Sequence, residues 1–354
     1  ALVCLVASCP CAIVISVPLA YYSGIGAASK LGVLFKGGRY LEALAKADTM
    51  VFDKTGTLTE GKLTIEKIIP FKNYSEEDIL KLAAAVEKNS SHPIAKAIVN
   101  ACDGEYPEMS GYAEHSGSGV SAVYNGKEIR CAGIRALSEE PEVKADAYLI
   151  LDGEIIGAFV LSDKPRKEAG SVISSLKKLG FTKIGILTGD SKYNADKIKN
   201  ELKGITFTEA GLVPEDKLKI VNKLKENGGV CFVGDGITDA PVIAASDCGF
   251  AMGLGSDAAI ASADAVLTSG NLSALPRAVK LAKKTVTTAK TNIAFALIIK
   301  ALVIVLAFFG IAAIWMSVIA DTGVCMLCVL WATRILNVRR ACAARSSSLI
   351  ARSA

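Results

Sequence analysis

Three polar clusters in the middle of the chain each follow a short apolar segment that resembles a β-strand. They are DKTGT at 53–57, TGD at 188–190 and GDGITD at 234–239. A carboxylate flanked by glycines and hydroxyls at the end of a strand suits in-line attack on a phosphorus atom. One such cluster alone is equally well explained as a solvated turn, because Asp and Gly are common in turns. Three clusters on one sheet favour a phosphoryl-transfer site.

The residue types suggest how such a site divides its work. Asp53 is the candidate nucleophile, and Asp235 is a second carboxylate that holds Mg²⁺ together with it. Lys217 and Thr188 are placed to neutralise the oxygens of the phosphoryl group in transit. Mg²⁺ is required because an anionic carboxylate otherwise has to approach an anionic phosphate.

The elements around these clusters alternate between short apolar strands and amphipathic helices. This alternation predicts an α/β domain with a doubly wound parallel sheet, whose active site lies at the carboxyl ends of its strands. The predicted strands are TMVFD, KIGILT, GITFT, GVCFVG, CGFAM and DAVLT, and the predicted helices lie near 166–179, 191–202, 214–226 and 271–285. We assign 29–63 and 161–285 to this domain.

Residues 64–160 have a different pattern and are predicted to form a separate α+β domain inserted into the first. Two helices, near 75–88 and 93–102, precede two hairpins. Ser75 with Asp78 three residues later predicts the start of the first helix. The hairpin turns are predicted at Asn125-Gly126 and Asp152-Gly153.

The two ends of the chain are apolar enough to be membrane spans. Of its 354 residues, 51% are hydrophobic and 21% are charged. Spans are predicted at 1–28, 286–311 and 312–336, the last two as a helical hairpin followed by a basic tail at 337–354. Lys and Arg flank the hairpin on one side only, so the large domains and the tail are expected in the cytoplasm.

Composition also excludes some classes of protein. The net charge of +5 lacks interleaved aromatic residues, so nucleic-acid binding is not expected. Ten cysteines without regular spacing indicate a reducing compartment instead of a disulfide framework. The chain opens inside an apolar segment, and we expect that it is incomplete.

Together, DKTGTLT, TGD and GDGxxDAP resemble the P-type ATPases, cation pumps built on the haloacid-dehalogenase phosphotransfer fold. The resemblance covers essentially the whole chain. It implies that ATP phosphorylates Asp53 and that Mg²⁺ lies between Asp53, the backbone carbonyl of Thr55 and Asp235. The catalytic residues that it implies are Asp53, Lys54, Thr55, Thr188, Gly189, Asp190, Lys217 and Asp239.

The inserted domain carries SSHPIAKAI and SGSGV, which resemble the nucleotide-binding domain of the heavy-metal branch of this family. The resemblance implies an adenine pocket and contacts near the hinge and the nucleotide phosphates. The pocket residues are Glu87, His92, Gly117 and Gly119, and the phosphate and hinge residues are Asp163 and Arg166. His115 has no such support and is not assigned to a site. Thr238 replaces the usual Asn of the family, which is expected to weaken Mg²⁺ or phosphate coordination.

Cys9, Pro10 and Cys11 suggest which cation is carried. A proline opens the helix, so both thiols are able to face one site. Thiolates select soft or borderline metals such as Zn²⁺, Cd²⁺, Pb²⁺ and Cu⁺. The alternative is two buried cysteines beside a kink; in the heavy-metal branch, however, this motif is the transport site.

Two charged residues within the predicted hairpin, Lys300 and Asp321, favour a divalent ion. They resemble the Lys and Asp of the zinc, cadmium and lead exporters. Two thiolates and Asp321 sum to −3, which a divalent ion and Lys300 balance with +3. Lys300 is therefore a candidate counter-ion that pairs with Asp321 after the metal leaves; the alternative is a snorkelling lysine. For Cys325 and Cys328, apolar packing is favoured over a second metal contact.

The predicted function is ATP-driven export of Zn²⁺, Cd²⁺ or Pb²⁺ across the plasma membrane by a monomer. An actuator domain and earlier membrane helices of the same polypeptide are expected as partners, along with membrane lipid. A Cu⁺-transporting P-type ATPase, a membrane-tethered phosphatase of the same fold and a non-catalytic scaffold remain alternatives. Thr55 stands where such phosphatases usually have a second acid, which favours a stable phosphoenzyme.

Overall fold

The chain folds into two compact units. In the computed structural model, Thr59–Arg166 forms one unit, and the flanking segments up to Leu58 and from Lys167 form the other. The structure describes residues 11–90, 92–115, 119–133, 137, 141, 143, 145–190, 192–310 and 313–337. The predicted residues Cys9 and Gly117 lie outside this set.

The helices and strands are numbered in chain order. They are α1 (Cys11–Ser29), β1 (Val33–Phe35), α2 (Gly38–Lys46), β2 (Thr49–Asp53), β3 (Thr59–Pro70), α3 (Glu76–Glu87), α4 (Pro93–Ala101), β4 (Ser110–His115), β5 (Gly119–Tyr124), β6 (Lys127–Ala132), β7 (Ala147–Leu151), β8 (Glu154–Pro165), α5 (Ala169–Lys178), β9 (Lys183–Leu187), α6 (Lys192–Glu201), β10 (Phe207–Glu209), α7 (Pro214–Lys225), β11 (Val230–Gly234), α8 (Ala240–Ala245), β12 (Cys248–Met252), α9 (Asp257–Ser262), β13 (Ala265–Leu267), α10 (Ala274–Phe308) and α11 (Ile314–Thr333).

A seven-stranded sheet forms the centre of the first unit, in the order β1-β13-β12-β11-β2-β9-β10. All neighbouring pairs are parallel except β1 with β13. The central strands are nearly continuous apolar runs and every residue of β2, β11 and β12 is buried, as helices on both faces of a parallel sheet require. The predicted α/β class with a doubly wound sheet is confirmed.

Three of the described helices are long and apolar enough to cross a membrane: Cys11–Ser29, Ala274–Phe308 and Trp315–Leu336. The second differs from its prediction. The sequence predicts a helix near 271–285 and a separate span at 286–311. In the structure they form one continuous helix of 35 residues, α10. Its first turns pack into the core of the α/β unit, where Ala278, Val279 and Ala282 are buried. Its one proline, Pro276, lies in the first turn, where a helix tolerates proline, and it has no glycine, so α10 extends about 52 Å without a break.

The second unit is a six-stranded antiparallel sheet in the order β3-β8-β7-β6-β5-β4, packed against α3 and α4. The predicted capping box of Ser75 and Asp78 is present at the start of α3. Both predicted hairpin turns are also present, with positive φ at Asn125-Gly126 and Asp152-Gly153. Positive φ at both positions matches the right-handed twist of the flanking strands.

Strands β3 and β8 of this sheet extend beyond the predicted insert of 64–160. Thr59 pairs with Pro165 across β3 and β8, so the antiparallel ladder holds both chain connections in the second unit. The strand predicted from GITFT begins later than expected, at Phe207. Gly204, with φ +115, has a conformation that no strand residue adopts.

Candidate active site

The three polar clusters meet at one edge of the parallel sheet. Asp53 ends β2 and pairs with Leu187, the last residue before Thr188. On the other side of β2, β11 runs parallel in register and ends at Gly234, one residue before Asp235. Later strands are added on both sides of β2, with β9 and β10 on one side and β11, β12 and β13 on the other, so this end of the sheet contains the switch point at which doubly wound folds bind ligands.

One buried lysine joins two of the carboxylates. Lys217 Nζ donates hydrogen bonds to Asp53 Oδ1 at 2.5 Å and to Asp239 Oδ1 at 2.8 Å. All three side chains are almost fully buried, which makes these ion pairs strong and leaves little water to screen them. Burial lowers the pKa of Lys217, but the two carboxylates outweigh this effect and leave the pKa above its usual value.

The carboxylates of Asp53, Asp235 and Asp239 are spaced for a metal ion. Each offers one oxygen, and these oxygens lie within 4.8 Å of one another. When ionised, the three carry −3 and Lys217 supplies +1, so the cluster has a net charge of −2. Oxygen donors and this charge fit Mg²⁺. The Mg²⁺ site was predicted from Asp53, Thr55 and Asp235. The structure adds Asp239 to it as a third carboxylate.

Gly56 makes room for this cluster. It has φ +73, and a Cβ at this position would lie 1.8 Å from Asp235 Oδ2. The backbone therefore approaches the carboxylate more closely than any side chain permits. Thr55, which precedes it, is exposed, and so is Thr238, in the turn before Asp239.

Asp53, the candidate nucleophile, has an unusually high pKa. Burial raises the pKa of Asp53 to about 7, the nearby Asp239 adds to the rise, and Lys217 opposes it. The cause is the excess of carboxylates over cations in a site with little water. Either a proton or an added cation relieves this repulsion.

The remaining residues of the first two clusters surround Asp53. Lys54 is buried and forms an ion pair with Asp190, which is one-third exposed. Thr188 is buried, and its hydroxyl accepts a hydrogen bond of 3.1 Å from the backbone N–H of Asp190. Gly189 lies against a neighbouring loop, because a Cβ there would lie 3.1 Å from the carbonyl oxygen of Leu212.

In the second unit, a cavity of about 400 Å³ collects the other predicted residues. Glu87, His92 and Gly119 line it. His92 caps α4, its Nδ1 accepting a hydrogen bond from Ile94 N–H, which places the proton of a neutral ring on Nε2. Gly119 has φ +99, and a Cβ would lie 2.0 Å from the carbonyl oxygen of Cys131. Packing between β5 and β6 therefore requires this glycine independently of any ligand.

Sequence reasoning misses two residues of this cavity, His115 and Cys131. His115 pairs with Gly119 across β4 and β5, so the hairpin register is the signal that connects them. Cys131 hydrogen-bonds Glu87; burial raises the pKa of that carboxyl, Cys131 lowers it and Glu114 raises it.

Asp163 and Arg166 lie at the end of the same unit. Asp163 is buried and accepts hydrogen bonds from Thr59 Oγ1 at 2.5 Å and from Gly61 N–H at 3.1 Å. It therefore fastens β8 to the start of β3, where the chain enters the unit. Arg166 is half-buried at the last position of the unit.

The helices long and apolar enough to cross a membrane, α1, α10 and α11, are called the membrane-type helices here. Two of them bring predicted residues into contact. Lys300 Nζ on α10 lies 3.0 Å from Asp321 Oδ1 on α11, and both side chains are largely buried. Cys11 opens α1, and Ala12 beside it packs with Ala296, Val324 and Cys328. Ala296 and Val324 are one turn from Lys300 and Asp321 respectively, so the start of α1 lies close to the ion pair.

Cys328 packs in this apolar cluster, as predicted, with Cys325 at its margin. A residue without a prediction, Asn292, joins the helices here. Its side chain is buried and donates a 3.0 Å hydrogen bond to the carbonyl oxygen of Cys328.

Gly56→Ala is expected to abolish the rise in melting temperature that Mg²⁺ produces, because the methyl group displaces Asp235. Gly211→Ala is the matched control: Gly211 has φ +70 but nothing within 4 Å of its Cβ position. Thermal melting with and without Mg²⁺ measures both variants. Equal Mg²⁺ responses of the two would contradict the role of the close approach.

Asp53→Asn is expected to gain stability relative to the native chain as pH rises from 5 to 8 without Mg²⁺. The folded state raises the pKa of Asp53 to about 7. Protonated Asp53 therefore makes its full contribution to the stability of the folded state below the ordinary Asp pKa, and this contribution is lost as pH rises through 7. Melting temperatures across this range test the expectation, and a difference that does not vary with pH would refute it.

Comparisons with known proteins agree with this architecture. The model of the haloacid dehalogenase-like hydrolase family matches residues 47–247. The cadmium, zinc and cobalt-transporting ATPase of Bacillus subtilis (strain 168) is 41% identical over 354 residues, which cover 96% of this chain and 50% of that protein. The zinc/cadmium/lead-transporting P-type ATPase of Escherichia coli (strain K12) is 39% identical over 348 residues, covering 95% and 47%. The chain thus spans about half the length of these relatives.

Solved structures give the same result. A zinc-transporting PIB-type ATPase in the E2.Pi state superposes with a TM-score of 0.83 at 38% identity, covering 94% of this chain and 57% of that one. The catalytic domain of the CPx-ATPase CopB-B has a TM-score of 0.64 at 33% identity, covering 71% and 97%. The chain belongs to the haloacid dehalogenase-like hydrolase family and, within it, to the heavy-metal branch of the P-type ATPases.

Proposed function

We propose that this protein exports Zn²⁺, Cd²⁺ or Pb²⁺ across a membrane at the expense of ATP, through an aspartyl phosphate on Asp53. The observation that carries the proposal is the cluster of Asp53, Asp235 and Asp239 around buried Lys217. The chain that holds it also has helices able to cross a membrane. The names of the relatives support the choice of ions.

In the first step, a carboxylate oxygen of Asp53 attacks the γ-phosphorus of ATP. The bond from that phosphorus to the β,γ-bridging oxygen breaks, and ADP leaves with the electron pair. Lys217 already contacts the attacking carboxylate and offers its charge to the phosphoryl oxygens. Thr188, buried beside it, has a hydroxyl suited to donate to the same oxygens. Water later attacks the phosphorus, the bond from phosphorus to the Asp53 oxygen breaks, and inorganic phosphate leaves with the Asp53 carboxylate restored.

Mg²⁺, held by Asp53, Asp235 and Asp239, would screen the negative charges that meet at this centre. The net charge of −2 that the cluster carries supports this assignment. We also retain the backbone carbonyl of Thr55 as a proposed ligand. Lys54 and Asp190, paired at the rim, are proposed to hold the DKTGT loop in place.

The cavity in the second unit is proposed to bind the adenine of ATP. Glu87 and His92 line it, and Gly119 lies beside them. Gly117 is proposed to contribute in the same way, and Arg166 to contact the nucleotide phosphates. Asp163 is proposed to stabilise the hinge, since it lies near the end of the unit and binds Thr59 and Gly61 at its start.

The cargo is proposed to bind where α1, α10 and α11 meet. Cys9, Cys11 and Asp321 are its proposed ligands. Cys11 is disulfide-bonded in the structure, so this role requires its reduction to a thiol. The combined charge of −3 of two thiolates and Asp321 is then balanced by a divalent ion and Lys300. The ion pair between Lys300 and Asp321 supports this arrangement, because it brings the lysine within reach of the proposed metal ligand. Lys300 would then replace the departing metal at Asp321 and hinder its return.

The proposed coupling between the two sites runs through α10. Its first turns are fixed in the core of the phosphorylation unit, and Lys300 lies further along the same helix. A rigid helix transmits tilt or rotation without needing contact between phosphate and metal. We further propose a plasma-membrane location with the large domains in the cytoplasm, and an actuator domain and additional helices as partners within the same polypeptide.

A metal-dependent phosphoenzyme is the central expectation. The intact protein, incubated with γ-labelled ATP and Zn²⁺, is expected to acquire a label that hydroxylamine removes. Asp53→Asn is expected to show none, and Asp196→Asn, at an exposed acid on α6, is expected to label normally. Labelling that depends on Cu⁺ instead of Zn²⁺ would indicate a copper pump. Phosphatase activity without a label would indicate a tethered phosphatase.

Lys300→Ala is expected to retain Zn²⁺-dependent phosphorylation but to slow metal release about tenfold, because Asp321 loses its replacement partner. The matched control is Lys290→Ala, which removes the same charge from an exposed position on the same helix. Stopped-flow release with a zinc-sensitive dye measures both. Unchanged release and ion preference in Lys300→Ala would end the counter-ion proposal.

A further inference from the structure

A second cavity, of about 610 Å³, lies at the end of the membrane-type helices nearest the α/β unit. One wall comes from α10, at the point where its sequence changes from lysine-rich to apolar. The other wall comes from the last turn of α11 and the short turn after it, with Trp331 and Arg334. No assigned function uses this cavity.

The lining of the cavity is strongly basic. Lys283 and Lys284 face it from α10, and Arg334 faces it from the other wall. None of the eight described residues that line it is acidic. The hydroxyl of Thr291 adds a hydrogen-bond donor, whereas that of Thr287 already donates to the carbonyl oxygen of Lys283. This lining suits a phosphate-type anion, which accepts several hydrogen bonds from cationic donors.

Two of the cations are held in place. Lys283 Nζ binds the carbonyl oxygen of Leu179, at the end of α5. The guanidinium of Arg334 lies 5.1 Å from the centre of the Trp331 ring, in a cation–π contact. Ordered cations lose less side-chain entropy on binding an anion, so the site is partly preorganised.

Apolar surface continues from the cavity along both helices. Leu327 and Leu330 are more than half exposed on α11, and Phe295, one turn beyond Thr291 on α10, is 40% exposed. A free phosphate ion makes no use of such a surface, whereas acyl chains attached to a phosphate do. Tryptophan beside arginine at a helix end is also typical of the membrane interface.

We propose that this cavity binds the phosphate headgroup of an anionic phospholipid, with the acyl chains lying along α10 and α11. The proposal rests on the membrane placement of these helices under the proposed function. Basic cavities between membrane helices on the cytoplasmic side bind such headgroups. The lipid then joins α10, the proposed coupling helix, to the end of α11 and links transport to the charge of the surrounding leaflet.

Quenching of Trp331 by brominated lipid tests the proposal. The intact protein is placed in nanodiscs of phosphatidylcholine that contain a small fraction of either brominated phosphatidylglycerol or brominated phosphatidylcholine. The difference between native protein and Trp331→Phe isolates the emission of Trp331. We expect brominated phosphatidylglycerol to quench it several-fold more strongly than brominated phosphatidylcholine does.

Variants separate the cavity from general surface charge. Lys284→Gln and Arg334→Gln are each expected to reduce the enrichment of phosphatidylglycerol about fivefold. Lys290→Gln is the control, because Lys290 is equally exposed on α10 but acts on Glu42 and does not line the cavity. An equal loss in Lys290→Gln would overturn the proposal.

The other outcomes are also decisive. Equal quenching by the two brominated lipids would overturn the proposal and leave the membrane placement intact. No quenching by either lipid would show that the end of α11 does not lie in the membrane, and it would contradict that part of the proposed function. If inorganic phosphate abolished the preference for phosphatidylglycerol, the cavity would be assigned to a soluble anion and the lipid proposal would be overturned.

Discussion

The structure depends on the crowding of negative charge at the end of β2. Asp53, Asp235 and Asp239 share a nearly dry site with one lysine. Like charges this close cannot all remain ionised without a compensating cation, which is why the pKa of Asp53 rises to about 7. We expect the same imbalance to favour binding of a divalent ion. Under the proposed function, that ion then allows a phosphoryl group to approach Asp53.

The membrane-type helices contain a second group of charges, in which the positive and negative charges are equal in number. Lys300 and Asp321 neutralise each other directly. Under the proposed function, the first site binds a cation to balance its charge, and in the second a cation displaces Lys300 from Asp321. The continuous helix α10 belongs to both, since it packs against the sheet core and also carries Lys300. This shared element gives the two balances a mechanical connection.

Much of the α/β unit and its site could be predicted from sequence, because local patterns report what the fold requires. Buried parallel strands read as apolar runs, so Asp53, Thr188 and Asp235 were identifiable as strand-end residues. The limits of the second unit were harder to predict. Its longest strand pair, β3 with β8, joins segments about a hundred residues apart in charged sequence, and only the completed ladder relates Thr59 to Pro165.

By itself, the sequence determined the chemistry available to this protein: a carboxylate nucleophile at a strand end, supporting acids and a lysine, and a lysine and an aspartate within apolar helices. Tertiary structure alone decided which of them touch. Lys217 contacts Asp53 across 164 positions, and Cys131, which no motif marks, joins Glu87 in the cavity of the second unit. The reason is physical: strand and helix periodicities are local, whereas charge pairing depends on distances that only the packed chain fixes.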